Sequence, residues 1–475
     1  MTKKRIIINA FDQDVATHHG HGMWRYPGSR DAEYKSIDYW TELARICEKG
    51  KFDAIFIADV LGVEDVYKGS PALAIKFPGF MPQNDPVLTI SAMAAVTEHL
   101  GFGVTMATTY EYPYLVARKF TTLDHLTNGR IAWNVVTGYQ KSGAVNLGLT
   151  DLVPHDERYE IADEFLEVTY KLWEGSWEDD AVLVDKENGV YADPTKVHPI
   201  DHEGKYFTVP GVHSAEPSPQ RTPFIYQAGQ SEVGKRFAAK HCEGMFVSTS
   251  RKEILKPLVD DVRQKAEEAG RPRDSIKIIQ ALVVIAAETD EAAQEKLARC
   301  KELAIPEGTL VQLSSVTGID FSKYDLDEPL EYIHSEALQA GVAFFTTADP
   351  DRQWTLRQVM EFMEIADWNP IICGGPETCA DELESWIDET GADGFNLGRV
   401  VSHETMSDFV EFVVPELQRR GRMWTDYPEG HNTLRGNTYD GSPFVADWHP
   451  ASEFRGAYVG KRSAVDMGSE TLDPA

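Results

Sequence analysis

Short apolar runs rich in β-branched residues alternate along most of the chain with longer amphipathic stretches. The runs have the length of strands and few polar positions, as expected of parallel strands that helices cover on both faces. The longer stretches have the 3.6-residue spacing of helices that bury one side. This alternation predicts repeated strand–helix units around a parallel sheet.

Eight candidate strands can be assigned, and a helical pattern follows most of them. The predicted strands are Arg5–Ala10, Ala54–Ala58, Phe102–Ala107, Ile131–Val136, Phe224–Gln227, Gly244–Val247, Ile276–Ala286 and Gly394–Leu397. The predicted helices are Tyr39–Lys49, Pro86–His99, Tyr114–Leu126, Tyr159–Trp173, Glu232–His241, Glu253–Ala269, Glu377–Thr390 and Met406–Arg420.

Eight such units fit an α/β fold of the TIM (β/α)8 barrel type better than an open, doubly wound sheet. An open sheet normally has a glycine-rich turn after its first strand, whereas Asp12-Gln13-Asp14 stands here without a GxGxxG pattern. We predict the barrel over residues 1–434, with insertions at about 175–222 and 301–351 on the C-terminal rim of the strands. Residues 435–475 are predicted to form an irregular C-terminal arm that wraps a second subunit.

Composition and charge limit the class of protein and its partners. Hydrophobic residues make up 42% and charged residues 26% of the chain, which is typical of globular proteins. The net charge of −30 repels phosphate backbones, so no nucleic-acid partner is expected. No run approaches the roughly 18 apolar residues of a membrane span, and the basic start leads into a strand-like run, which predicts a cytoplasmic protein. The five cysteines form no CxxC pair, which argues against disulfides and a zinc ribbon.

Catalytic groups of a TIM barrel gather where strands end and loops begin. A cluster of three histidines follows the first strand: His18, His19 and His21. A metal-dependent hydrolase would also need histidines after strands five and six and a carboxylate after strand eight. Gln227, Phe246 and Asn396 stand there instead, so we predict no metal site. A polar surface loop and a substrate-binding role for at least one histidine both stay open.

The residues that follow two other strands have both a structural and a ligand-binding interpretation. Asp59 is a lone carboxylate after an apolar strand, where it either tethers the next loop or accepts a ring N–H of a heterocycle. Gly229, Gln230 and Ser231 lead into a predicted helix, and small residues with a hydroxyl at a helix N-terminus form an anion pocket. An ordinary N-cap by Ser231 explains the same pattern.

The rest of the rim carries neutral polar groups and aromatic rings, among them Phe11, Phe56 and Phe246. The sequence has no P-loop, no HExxH motif and no convincing Ser-His-Asp order. An anion pocket beside aromatic rings suits a planar phosphorylated cofactor. The protein would then supply binding and exclusion of water, and the cofactor the reaction.

These residues and their neighbours resemble the flavin-dependent monooxygenases of the bacterial luciferase-like family. The similarity covers Ile6 to about Leu434 and lies in the branch of the nitrilotriacetate, EDTA, dibenzothiophene sulfone and dimethyl sulfide enzymes. Segments that carry it are Gly50-Lys51-Phe52-Asp53, Leu123-Asp124-His125-Leu126, Asn134-Val135-Val136-Thr137, His155-Asp156-Glu157-Arg158-Tyr159 and Gln227-Ala228-Gly229. Residues 57–63, with Asn9 to Asp12, look most like the dimethyl sulfide enzyme.

The resemblance implies that the chain uses O2 and FMN, as FMNH2 supplied by a separate NADH-dependent flavin reductase, through a flavin C4a-peroxide. By position, the residues that would contact the isoalloxazine ring are Asp59, Thr109, Asn134 and Thr137. Those that would reach the ribityl chain or hold the phosphate are His155, Tyr159, Gly229, Gln230 and Ser231. Phe11, Phe56 and Phe246 would face the substrate, and His19 is the candidate catalytic residue.

The same resemblance implies a small organosulfur substrate, with dimethyl sulfide converted to methanethiol and formaldehyde as the best match. Val316 stands where the sulfone enzyme has a histidine, which argues against an aromatic sulfone. An aminopolycarboxylate would need cationic side chains in the pocket, and the rim offers few, mainly Arg25, Arg158 and Arg399. An alkane substrate, or a flavin-binding protein without turnover, stays open. A homodimer or homotetramer is expected.

Overall fold

Eight parallel strands close into a barrel. The computed structural model describes residues 3–330, 345, 353–430, 432–439, 441–458 and 461–467. Its strands are β1 Ile7–Gln13, β2 Ala54–Ala58, β3 Gly101–Ala107, β4 Ile131–Val136, β5 Val182–Asp185, β6 Val190–Ala192, β7 His202–Glu203, β8 Thr208–Val209, β9 Phe224–Gln227, β10 Gly244–Val247, β11 Lys277–Ala286, β12 Ile371–Gly374 and β13 Gly394–Gly398. The barrel order is β1-β2-β3-β4-β9-β10-β11-β13, and β13 pairs with β1. The TIM barrel prediction is confirmed.

Helices surround the barrel. They are α1 Ile37–Lys49, α2 Ala72–Lys76, α3 Val87–Ala94, α4 Pro113–Leu126, α5 Lys141–Asn146, α6 His155–Gly175, α7 Glu232–His241, α8 Lys252–Glu268, α9 Asp290–Leu303, α10 Pro306–Thr317, α11 Leu356–Met363, α12 Pro376–Thr390, α13 Glu404–Asp408, α14 Val414–Arg419, α15 Leu434–Thr438 and α16 Ala464–Met467. In the part of the chain that the structure describes, no helix has the length and apolar character needed to cross a membrane.

Several helices differ from their predicted bounds, two of them for clear local reasons. The helix predicted to end at His99 ends at Ala94, because the Glu48 carboxylate accepts the backbone N–H groups of Glu98 and His99 (both 2.7 Å) and turns the chain into β3. The last predicted helix contains a π-helical turn, Phe409–Val413, just before Pro415. A proline cannot donate the regular helical hydrogen bond, so the ladder is interrupted there.

Side chains of the barrel strands alternate between the interior and the surrounding helices. In β1, Ile8 and Ala10 pack against the helices, whereas Ile7 and Phe11 belong to the interior cluster. Leu434 closes the lower, N-terminal end of this interior, and its backbone N–H donates to the Gly129 carbonyl oxygen (3.0 Å). The lower half of the barrel interior is therefore apolar, and the polar side chains of the interior lie in its upper, C-terminal half.

The insertion at residues 175–222 lies at the N-terminal end of the barrel, so its predicted place on the C-terminal rim is wrong. Helix α6 runs downward from the rim to Gly175, and the segment after it therefore begins at the opposite end. Near its end, Gln220 Nε2 donates to the carbonyl oxygen of Ile131, the first residue of β4 (2.9 Å). The segment forms two hairpins, β5–β6 and β7–β8.

The insertion predicted at 301–351 does reach the rim, through α10. Gln312 of α10 contacts His21, which follows β1, and Ser315 Oγ accepts a hydrogen bond from Gln140 Nε2 (2.8 Å). Residues 331–344 and 346–351 of this insertion lie outside the described residues. Strand β12, which was not predicted, follows the insertion and pairs with the upper half of β11 outside the barrel.

The C-terminal arm packs on the lower end of its own barrel. Arg435 and Glu243, both buried, form an ion pair (2.6 Å), and the Tyr439 hydroxyl donates to the carbonyl oxygens of Glu243 (2.7 Å) and Ser275 (2.6 Å). Residues 468–475 of the predicted arm lie outside the described residues. The role of the arm around a second subunit stays a prediction.

Candidate active site

A cavity of about 330 Å³ lies at the C-terminal ends of the barrel strands. Each of the eight strands contributes to its wall, with Phe11, Phe56, Thr105, Asn134, Gln227, Phe246, Ala281 and Asn396 among the lining residues. This is the end at which TIM barrel enzymes place their reacting groups. All the site residues predicted from the sequence line this cavity except Thr109. The Thr109 hydroxyl instead donates to the Thr137 carbonyl oxygen (2.7 Å).

One corner of the cavity is built to hold an anion. Ser231 Oγ accepts the backbone N–H of Gly234 (3.1 Å), so Ser231 is the N-cap of α7, as one of the two interpretations predicted. The Tyr159 hydroxyl hydrogen-bonds to the Ser231 and Gln227 side chains. Burial raises the pKa of Tyr159, which keeps this hydroxyl a donor at neutral pH.

Two further features complete this anion corner. A side chain at Gly229 would overlap the Tyr159 hydroxyl, so the backbone can approach a ligand here only as glycine. Arg158, from the first turn of α6, lines the same wall and donates through Nη1 to the Gly138 carbonyl oxygen (2.6 Å). A guanidinium group, a hydroxyl and a helix N-terminus together favour a phosphate group.

Several buried polar atoms of the lining have no hydrogen-bond partner among the described residues. They include Gln13 Oε1, His19 Nε2, Asn134 Oδ1, Gln227 Oε1 and Asn396 Oδ1. Unpaired polar groups destabilise a protein interior, and native structures keep few of them. Their concentration around one cavity indicates that it holds a molecule with many hydrogen-bonding groups.

Asp59 places an acidic group in the wall, directly after β2. Burial raises the pKa of this carboxyl to about 6, and the charge of Asp85 adds to the shift, while the Val60 backbone N–H opposes it. Asp59 is therefore largely ionised at pH 7 and can accept a ring N–H, but it takes up a proton just below neutrality.

Aromatic rings in contact with one another form an apolar side of the cavity. The ring centroids of Phe11 and Phe56 are 5.2 Å apart, and those of Phe56 and Phe246 are 4.2 Å apart. His18 stacks on His19 at 3.9 Å and contacts the edge of Phe11 at 4.4 Å. This side offers an apolar surface with imidazole nitrogens at its border.

The loop before β12 adds Asp367, Trp368 and Asn369 to the lining, and none of them was predicted. Asp367 Oδ2 lies 2.7 Å from His19 Nδ1. Asn369 is fixed by Ser248 at the end of β10, whose hydroxyl donates to Asn369 Oδ1 (2.7 Å). The sequence gives no signal for this loop beyond a polar pair around a tryptophan.

The three histidines after β1 have different neighbours, and His18 stacks on His19. His21 contacts Gln312 of α10 (2.8 Å), while His19 contacts Asp367. Among the residues that the structure describes, no group of three or more histidine, cysteine or acidic side chains is arranged to hold a metal ion. The five cysteines are all free thiols.

Comparison with known proteins identifies the family of this chain. A model of luciferase-like monooxygenases matches residues 12–394. The chain belongs to the luciferase-like monooxygenase family. The resemblance noted from the sequence is thereby confirmed, and so is the prediction of a flavin-dependent monooxygenase.

Three relatives of this monooxygenase span nearly its whole length. It is 51% identical to the dimethyl-sulfide monooxygenase of Hyphomicrobium sulfonivorans, over 98% of this chain and 96% of the relative. It is 48% identical to the long-chain alkane monooxygenase of Geobacillus thermodenitrificans, over 96% of this chain and 99% of the relative. A riboflavin lyase, solved with modified FMN and riboflavin, superposes with a TM-score of 0.89 at 35% identity, covering 95% of this chain and all of its own.

Proposed function

We propose that this monooxygenase is the oxygenase component of a two-component system that cleaves dimethyl sulfide to methanethiol and formaldehyde. It would receive FMNH2 from a separate NADH-dependent flavin reductase, with one oxygen atom of O2 entering a methyl group and the other leaving as water. The observation that carries the proposal is a single cavity with an anion corner, unpaired polar atoms and an apolar side.

The residues of the cavity fit FMN. Arg158, Tyr159 and Ser231 would hold the phosphate, because the corner combines a cation, a donor hydroxyl and a helix N-terminus. Asp59 and the unpaired Asn134 Oδ1 would accept polar N–H groups of the ring. Reduced flavin, when bound, supplies the electrons that activate O2.

The apolar side favours a small uncharged substrate. Among the described residues that line the cavity, Arg158 is the one with a permanently charged cation, and it lies in the anion corner. Arg399, which was considered for a carboxylate substrate, is buried between Asp12 and Asp31. A substrate with several carboxylates would therefore lack counter-charges next to Phe11, Phe56 and Phe246.

The same apolar side also suits an alkane, and the similarity to the alkane enzyme makes this the second candidate. A substrate panel decides between them: dimethyl sulfide, a long-chain alkane, nitrilotriacetate and dibenzothiophene sulfone, each with FMN, NADH, a flavin reductase and catalase. We expect methanethiol and formaldehyde from dimethyl sulfide in proportion to the NADH oxidised. Formation of an alcohol from the alkane would make the alkane the substrate. If none of the compounds gives a product, the result would support a flavin-binding protein without turnover.

The raised pKa of Asp59 predicts a pH dependence of FMN binding. Because only the ionised carboxyl is a charged acceptor, affinity should increase as the pH rises through about 6. A charge-assisted hydrogen bond is worth about 1.5–3 kcal/mol, so we expect roughly a tenfold increase between pH 5 and pH 7.5. Quenching of FMN fluorescence measures this, and Asp59→Asn should remove the pH dependence. An equally steep dependence in Asp59→Asn would assign it to another group.

His19→Ala tests the candidate catalytic residue. We expect NADH and O2 consumption to continue with release of hydrogen peroxide, while product formation falls by roughly 100-fold, the usual scale for loss of a positioned acid or base. FMN affinity should change little, since His19 borders the apolar side. Measuring product and peroxide per NADH checks this, and full coupling in His19→Ala would show that His19 only lines the cavity.

A further inference from the structure

His19 contacts the buried carboxylate of Asp367, which lies 348 residues later in the sequence. The ring is 3% exposed, and its Nδ1 lies 2.7 Å from Asp367 Oδ2. Its other nitrogen, Nε2, has no hydrogen-bond partner among the described residues. One ring nitrogen is therefore engaged by a carboxylate, whereas the other lies beside the Gly398 backbone, where a side chain would overlap it, without a polar partner among the described residues.

The directions of these hydrogen bonds follow from the groups themselves. Gln312 Nε2 also donates to Asp367 Oδ2 (3.1 Å), and an amide nitrogen can only donate. A carboxylate oxygen can only accept, so His19 presents an Nδ1–H to Asp367. Gln312 Oε1 lies 2.8 Å from His21 Nε2, and His21 Nδ1 lies 3.3 Å from the Pro78 carbonyl oxygen.

We propose that Asp367 is a positioning residue that keeps His19 in the Nδ1–H tautomer, so that Nε2 stays unprotonated, and that Gln312 orients Asp367. The tautomer itself is independent of the proposed function, whereas its consequence for coupled turnover rests on it. Histidines that act on a substrate through one nitrogen commonly have the other held by a carboxylate.

The surroundings support a held rather than a chance contact. Asp367 has a φ of +52°, a conformation that costs free energy in a residue other than glycine and persists where contacts enforce it. Its backbone N–H donates to the Met363 carbonyl oxygen (3.1 Å) at the end of α11. Gln312 lies in α10, whose residues from Gly308 to Thr317 are all buried.

Proton-detected ¹⁵N spectra of protein labelled only at histidine report the tautomer of each ring without cofactor or substrate. The His19 signals are assigned by their loss in His19→Gln. In the unmodified protein at pH 8 we expect a protonated Nδ1 and an unprotonated Nε2. Asp367→Leu removes the acceptor, so the major form should become the Nε2–H tautomer.

Asp367→Asn provides the conservative rescue. Gln312 still donates toward residue 367, so the carboxamide should turn its oxygen to His19 and retain the Nδ1–H tautomer. Adding Gln312→Met removes that constraint and should allow the tautomer to change. Glu178→Gln is the matched control, since Glu178 contacts the buried His198 at the other end of the barrel (2.9 Å) and should leave His19 unchanged.

Activity measurements then separate the two proposals. We expect Asp367→Leu to lower product per NADH at least tenfold with FMN affinity within threefold of the unmodified enzyme, and Asp367→Asn to retain most coupling. An Nε2–H tautomer in the unmodified protein, or an unchanged tautomer in Asp367→Leu, overturns the positioning role. A changed tautomer with full coupling overturns its catalytic consequence. Failure of the unmodified protein to bind FMN contradicts the proposed function and leaves the tautomer result standing.

Discussion

Arg158→Met is expected to weaken FMN binding by roughly 10- to 150-fold while riboflavin binding changes less than threefold. The two ligands differ only in the phosphate, so their affinity ratio isolates the anion corner. Loss of one charge-assisted contact of about 1.5–3 kcal/mol, in a site with few other cations, corresponds to a change of this size. Fluorescence titration of both flavins against each protein measures the ratio directly.

Arg130→Met is the control for the loss of a buried arginine. Arg130 is 4% exposed and donates to backbone carbonyl oxygens, among them that of Leu100 (2.9 Å), but it does not line the cavity. This variant should keep the preference for FMN even if its thermal stability falls. An unchanged FMN-to-riboflavin ratio in Arg158→Met would place the phosphate elsewhere and remove the main support for the cofactor assignment.

The barrel strands could be predicted because helices cover them, which makes each one a short apolar run. The last residues of β1 could not be predicted in this way. The polar residues Asp12 and Gln13 favour a turn in the sequence. In the structure they continue the strand and pair with Ile57 and Ala58 of β2. The charge of Asp12 is neutralised by Arg399, almost 400 residues later in the chain. A pattern of neighbouring residues contains no information on such a partner.

Most of the predicted cofactor residues follow barrel strands, and the topology alone brings those positions to one end. Asp367 and Gln312 could not be found in this way. Helix α10 is buried on all sides from Gly308 to Thr317, so its sequence lacks the polar face by which amphipathic helices are recognised. The position of residues 175–222, by contrast, could have been predicted, since a segment that follows a barrel helix starts at the N-terminal end of the strands.

Arg399→Met is expected to lower the free energy of unfolding by about 3–5 kcal/mol, the usual effect of removing one partner from a buried ion pair. Arg399 Nε donates to Asp12 Oδ1 (2.8 Å) and Nη1 contacts Asp31, and all three side chains are almost completely buried. Burial raises the pKa of Asp31 to about 6 even with Arg399 present. Without the guanidinium, which lowers the pKa of Asp31, this carboxyl group would favour the protonated form in the folded state still more.

The loss should therefore depend on pH in a defined direction. A carboxyl whose pKa is higher in the folded than in the unfolded state destabilises the fold as the pH rises through that interval. Urea unfolding should show a larger loss at pH 8 than at pH 5. Arg357→Met, which breaks the exposed pair with Asp327 (2.7 Å), should change stability little at either pH. Equal losses at both pH values would mean that Arg399 stabilises the barrel by packing and not by neutralising Asp12 and Asp31.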